Sequence, residues 1–99
     1  MDKTVLDFAS AANAFDLYRE MAVKLAWEDW YGCNLDAVYD ILTGQPLNTR
    51  KITIVRKKTY TGILWGQSEA FTRYVDRLCD VFRDAEEESG SFSLEITNI

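Results

Sequence analysis

Trp30-Tyr31-Gly32-Cys33-Asn34-Leu35-Asp36-Ala37-Val38-Tyr39-Asp40-Ile41-Leu42-Thr43-Gly44 is the stretch whose reading orders the rest of the chain. Asn34 is a favourable N-cap, because its side-chain oxygen can accept an otherwise unpaired N–H of the first helical turn. Gly44 stands where a left-handed C-cap residue belongs, and Pro46 follows where a helix cannot continue. Between these signals Leu35, Val38, Ile41 and Leu42 recur at helical spacing and form a face for a core. The spacing predicts a helix over residues 34–43.

The opposite face of that helix carries Asp36, Asp40 and Thr43, with Tyr39 at the border, where its ring can pack while its hydroxyl stays wet. Two carboxylates at i and i+4 repel each other and weaken an isolated helix by a few tenths of a kcal/mol. Asp36 lies in the first turn, where the helix dipole favours a negative charge. Asp40 is too far along to share that benefit. A solvated face would accommodate both acids; so would a cationic partner.

Working outward, Thr4 to Phe8 alternates and reads as a first strand. Asn13 caps a helix over residues 13–25 whose buried side is Leu17, Met21 and Leu25, with Asp16 at the N3 position of a capping box. Residues 50–56 are rich in β-branched side chains and give a second strand. Thr59 to Gln67, with Gly62 and Gly66, is expected to form a short helix or an irregular turn. Phe71, Val75, Leu78, Phe82 and Ala85 mark an amphipathic helix over 69–89 ended by Gly90, and Phe92, Leu94 and Ile96 a last strand over 92–97. Strands separated by helices indicate an α/β fold with a three-stranded parallel sheet packed with helices.

Composition narrows the function. Ninety-nine residues, 47% hydrophobic and 13% aromatic, suit a single domain spanning 1–99 with one core. No apolar run is long enough to cross a membrane and no signal-peptide pattern opens the chain, so a cytoplasmic protein is expected. With no His, and with Cys33 and Cys79 far apart and outside any C-x-x-C pair, neither a metal nor another cofactor is expected. Both cysteines read as reduced thiols, Cys79 within a core helix. The formal charge is -5, and no Lys or Arg occurs between Lys24 and Arg50, a gap that holds Glu28, Asp29, Asp36 and Asp40. Asp84, Glu86, Glu87 and Glu88 add to the same sign. Such a field attracts a basic protein partner. Arg50, Lys51, Arg56, Lys57 and Lys58 flank a strand in an acidic chain, and nucleic-acid binding is not expected from them.

The segment from Tyr31 to Gly44 resembles the central segment of the barstar family, intracellular bacterial inhibitors of the secreted ribonuclease barnase. Val81-Phe82-Arg83-Asp84-Ala85 is similar to the late helix of the same family. The resemblance implies a barstar-like fold and an inhibitor that plugs a basic ribonuclease or toxin domain, one to one. Carried over position by position, it places Trp30, Asn34, Leu35, Asp36, Tyr39, Asp40, Thr43, Gly44 and Asp84 at the interface. Asp40 would take the place of a substrate phosphate, Asp36 would pair nearby and Asp84 would reach in from the long helix. Trp30 and Tyr39 beside two acids suit the aromatic centre of an interface, whereas Leu35 and Gly44 are also explained by core and cap.

Relative to the family pattern, Trp30 stands for Tyr, Cys33 for Glu, Tyr39 and Gln45 for Trp, and Asp84 for a Glu one methylene longer. These departures leave open a barstar-fold protein that neutralises a non-ribonuclease toxin or binds a regulatory partner. Two carboxylates one turn apart could also act as acid and base on a glycoside. No His, nucleophile motif or phosphate loop supports an enzyme.

Overall fold

The computed structural model describes residues 3–25, 35–44, 49–60 and 68–99. The order is β1 (Lys3–Asp7), α1 (Ala14–Lys24), α2 (Leu35–Gly44), β2 (Lys51–Arg56), α3 (Ser68–Ser89) and β3 (Ser93–Asn98). The strands form one parallel sheet in the order β1-β2-β3, with Thr4 beside Ile52 and Ile52 beside Leu94. This is the α/β, barstar-like architecture expected from the sequence. Residues 61–67 of the segment expected to form a short helix or an irregular turn lie outside the described residues.

The register puts Thr4, Leu6 and Phe8, Ile52 and Ile54, and Leu94 and Ile96 on one face of the sheet. That face joins Leu17, Tyr18 and Met21 of α1, Val38 and Leu42 of α2, and Val75, Leu78 and Phe82 of α3 in one apolar cluster. The alternation in β1 holds with one exchange: Thr4 is buried, while Val5 points to the other face and is 41% exposed. In β2 Ile52, Thr53 and Ile54 are all buried, Ile52 and Ile54 against the helices and Thr53 on the other face between Val5 and Glu95 of the two flanking strands.

Local chemistry sets the helix ends. Asp16 N–H donates to Asn13 Oδ1 at 2.9 Å, and Asp16 Oδ2 in turn accepts from Ala12 N–H at 2.9 Å, so the box closes one residue before the cap. Gly90 ends α3 with φ +63, a left-handed conformation that a side chain would strain. The expected left-handed cap at Gly44 is not what forms. Gly44 is the last residue of α2, without positive φ, and a Cβ there would meet nothing within 4 Å. Proline disfavours helical backbone in the residue before it, so Pro46 in the sequence can stop a helix without a glycine reversal.

Side chains also close sheet edges. On the outer edge of β1, Asp7 N–H donates to Glu20 Oε2 at 2.8 Å and Val5 C=O accepts from Lys24 Nζ at 3.4 Å. Glu20 and Lys24 are themselves 3.2 Å apart. On the outer edge of β3, Leu94 N–H donates to Glu86 Oε2 at 2.5 Å.

Beyond β2, Tyr60 ties three parts of the core together. Its hydroxyl donates to Phe8 C=O at 2.6 Å, its N–H donates to Thr72 Oγ1 at 2.9 Å, and its ring meets Phe71 edge-on at 4.8 Å. Burial pushes its phenol above the ordinary value near 10. Cys79 is a free, buried thiol, as expected, and burial raises its pKa against the pull of the Arg56 guanidinium. Arg56 itself donates to Asp76 Oδ1 at 2.7 Å and to Asn98 Oδ1 at 2.9 Å, joining β2, α3 and β3.

Two substitutions test this packing. Tyr60→Phe takes one of two donors from the buried Phe8 carbonyl, which also accepts from Ala11 N–H at 3.2 Å, and is expected to lower stability by about 0.5–1.5 kcal/mol in urea unfolding. A phenol whose folded pKa is raised contributes stability below its unfolded value that is lost as pH rises through and beyond about 10. Phe should therefore also flatten the alkaline limb of the stability profile. Thr53 Oγ1 is buried with no hydrogen-bond partner among the described residues. Thr53→Val is expected to stabilise by about 1 kcal/mol, since it removes an unsatisfied group at nearly constant shape.

Candidate partner-binding face

The face in question is the outer side of α2. Val38, Ile41 and Leu42 are buried, and α2 packs on α3. Inward orientation of these three forces Asp36 and Asp40 outward, and both are exposed. Leu35 and Tyr39 are half-buried and pack against the core at the border of the face. Thr43 is half-buried, and its hydroxyl donates back to Tyr39 C=O at 2.8 Å, which holds it along the helix. Gly44 is exposed at the helix end. Trp30 and Asn34, expected in the same surface, lie outside the described residues, as does Cys33.

Electrostatically the face is one-sided. Among the described residues neither Asp36 nor Asp40 has an ion-pair partner, and α2 has no basic residue in its last turn. Asp84 is exposed on α3, the helix against which α2 rests, and it too has no ion-pair partner among the described residues. Asp84 belongs to a longer row that the sequence reading did not single out. Asp76, Asp80, Asp84 and Glu88 recur every fourth residue on α3 and all are exposed. Only the first of them is neutralised among the described residues, by Arg56 at 2.7 Å. The signal was available: it is the same i, i+4 repulsion that marked Asp36 and Asp40, repeated three times.

Among the described residues no cluster of three or more His, Cys, Asp or Glu could hold a metal, and no helix is long and apolar enough to cross a membrane. What the face can do chemically is accept hydrogen bonds from cations: two carboxylates one turn apart offer several lone pairs, with no ion-pair partner among the described residues.

A family model described as "Barstar (barnase inhibitor)" matches residues 1–97. The chain belongs to the barstar family. Within it, the chain is 28% identical over 88 residues to a Bacillus subtilis (strain 168) protein named "Putative ribonuclease inhibitor YrdF", a match that covers 89% of both proteins. The description of that family is one of barnase inhibitors.

Because the carboxylates on α2 repel each other and no cation among the described residues compensates them, Asp40→Ala is expected to unfold at an equal or higher urea concentration than the parent, with Ala also the better helix former. A clear drop in the midpoint would show that Asp40 is held by an internal contact and serves the fold.

Proposed function

We propose that this barstar-family chain is an inhibitor, not an enzyme, that blocks a secreted barnase-type ribonuclease by laying the outer face of α2 into its basic active site. The observation that carries this reading is the exposed pair Asp36 and Asp40, unrelieved by any cation among the described residues. A nuclease cleft is basic because it binds phosphate, and a carboxylate placed there accepts the same charge-assisted hydrogen bonds. In this reading Asp40 occupies the phosphate position, Asp36 pairs beside it and Asp84 adds charge from α3. Trp30, Asn34, Leu35, Tyr39, Thr43 and Gly44 surround them. The complex is one to one, a cytoplasmic 1–99 domain closing the enzyme's site without nucleic acid, membrane or cofactor.

The excess negative charge serves encounter as well as contact. With a formal charge of -5 the chain is drawn to a basic enzyme over distances set by the ionic strength, so association slows as salt is added. A second reading keeps the face and changes the partner. Gln45 and the shorter Asp84 alter side chains that the family resemblance places at or beside the interface, which favours a toxin domain other than barnase.

Titration calorimetry against barnase distinguishes the two readings. Asp40→Ala is expected to weaken the complex by about 3–5 kcal/mol, because truncation leaves the enzyme's cations buried and unpaired. Glu95→Ala, on the opposite face of the sheet, should change affinity by less than about 0.5 kcal/mol. Equal losses would reject the plug. No binding by the parent chain would favour the second reading.

A further inference from the structure

The N-terminal half of α3 carries a groove of about 240 Å³ lined, among the described residues, by Ala70, Arg73, Tyr74 and Arg77. Arg73 and Arg77 are one turn apart and exposed, so their guanidinium groups repel each other. Arg77 has no ion-pair partner among the described residues. Arg73 reaches Glu69 Oε1 at 3.1 Å, but both side chains are largely exposed, and a pair so placed contributes little and is readily exchanged for another acceptor. Tyr74 adds a third donor. Its hydroxyl shares a hydrogen bond with the hydroxyl of Tyr18 on α1. Either hydroxyl can be the donor of that bond, and when Tyr18 donates, the Tyr74 proton is available to an anion in the groove.

Two guanidinium forks and a phenol around a groove lined by the small Ala70 match the acceptors of a tetrahedral oxyanion, and Arg suits phosphate better than Lys because its donors are planar and paired. The size of the ligand follows from what comes next along the helix. Asp80 and Asp84 continue the same stripe, roughly 4.5 and 10.5 Å beyond Arg77 at 1.5 Å rise per residue. A long polyanion laid along α3 would run into them, whereas a single phosphate would not. We propose that Arg73, Tyr74 and Arg77 form a binding site for a small phosphate-bearing anion, either free phosphate or the phosphate of a mononucleotide.

The test is an NMR titration of the full chain at fixed ionic strength with sodium phosphate, AMP, adenosine, a ten-nucleotide RNA and a glutamate-rich peptide. Saturable shifts at Ala70 to Arg77 are expected with phosphate and AMP and none with adenosine. Arg77→Ala should weaken phosphate binding at least about tenfold and Tyr74→Phe about threefold, while Arg83→Ala, exposed on α3 but outside the groove, should leave it unchanged. AMP binding no tighter than phosphate supports a free-anion site, and tighter binding supports a mononucleotide site. The proposal is overturned by unsaturable shifts, by Arg77→Ala without effect, by the peptide binding as well as phosphate, or by the RNA binding more tightly than AMP.

Discussion

The parallel pairing of β2 with both its neighbours governs the molecule. Parallel neighbours cannot be joined by a tight turn, so each connection must travel back along the sheet, and a helix is the compact way to do so. The chain uses α1 and α2 for the first return and α3 for the second. Each helix then has one stripe committed to Leu6, Phe8, Ile52 and Ile54 or to its neighbouring helix, and the opposite stripe committed to solvent. The exposed charges on α2 and α3 are in this sense consequences of strand pairing. Once Val38 and Leu42 face the core, Asp36 and Asp40 have nowhere else to go.

The two helices that carry the acidic residues separate charge in different ways. On α2 the acids stand in a segment of chain with no Lys or Arg at all, and no cation among the described residues pairs with them. On α3 a basic half, Arg73 and Arg77, gives way to an acidic half, Asp80, Asp84 and Glu88, along a single stripe. One helix thus presents opposite signs a few ångströms apart. A surface of this kind favours ligands by size as well as by charge.

Most elements were legible in the sequence because each was specified several times over. For α1, the Asn13 cap, the Leu17-Met21-Leu25 spacing and Asp16 of the capping box agreed, and its limits differ from expectation by one residue at each end. The strands were legible from their β-branched and alternating patterns to within one residue at each end, although the pattern did not tell which side of β1 would keep Val5. Gly44 was misread because glycine and proline together suggest a left-handed cap, while proline alone is enough to stop a helix. On the candidate face Asp36 and Asp40 could be found, since repulsion at i, i+4 is visible in a string of letters. Asp80 and Glu88 carried the same signal but were masked by the strong apolar period of the helix they share. The Glu20 and Lys24 contacts with β1 could not be read at all: they join side chains to backbone groups 13 and 19 residues away.

Those contacts make the two margins of the sheet unequal. At β1 a side-chain acceptor and a side-chain donor occupy the backbone groups of Asp7 and Val5 that an incoming strand would use. At β3 only Leu94 is occupied in this way among the described residues, by Glu86, and the outward N–H groups of Ile96 and Asn98 beyond it have no such cover. Under conditions that drive chains together, a fibril-like sheet built from this protein therefore has a direction: it grows outward from the C-terminal strand, with β1 as its blunt end.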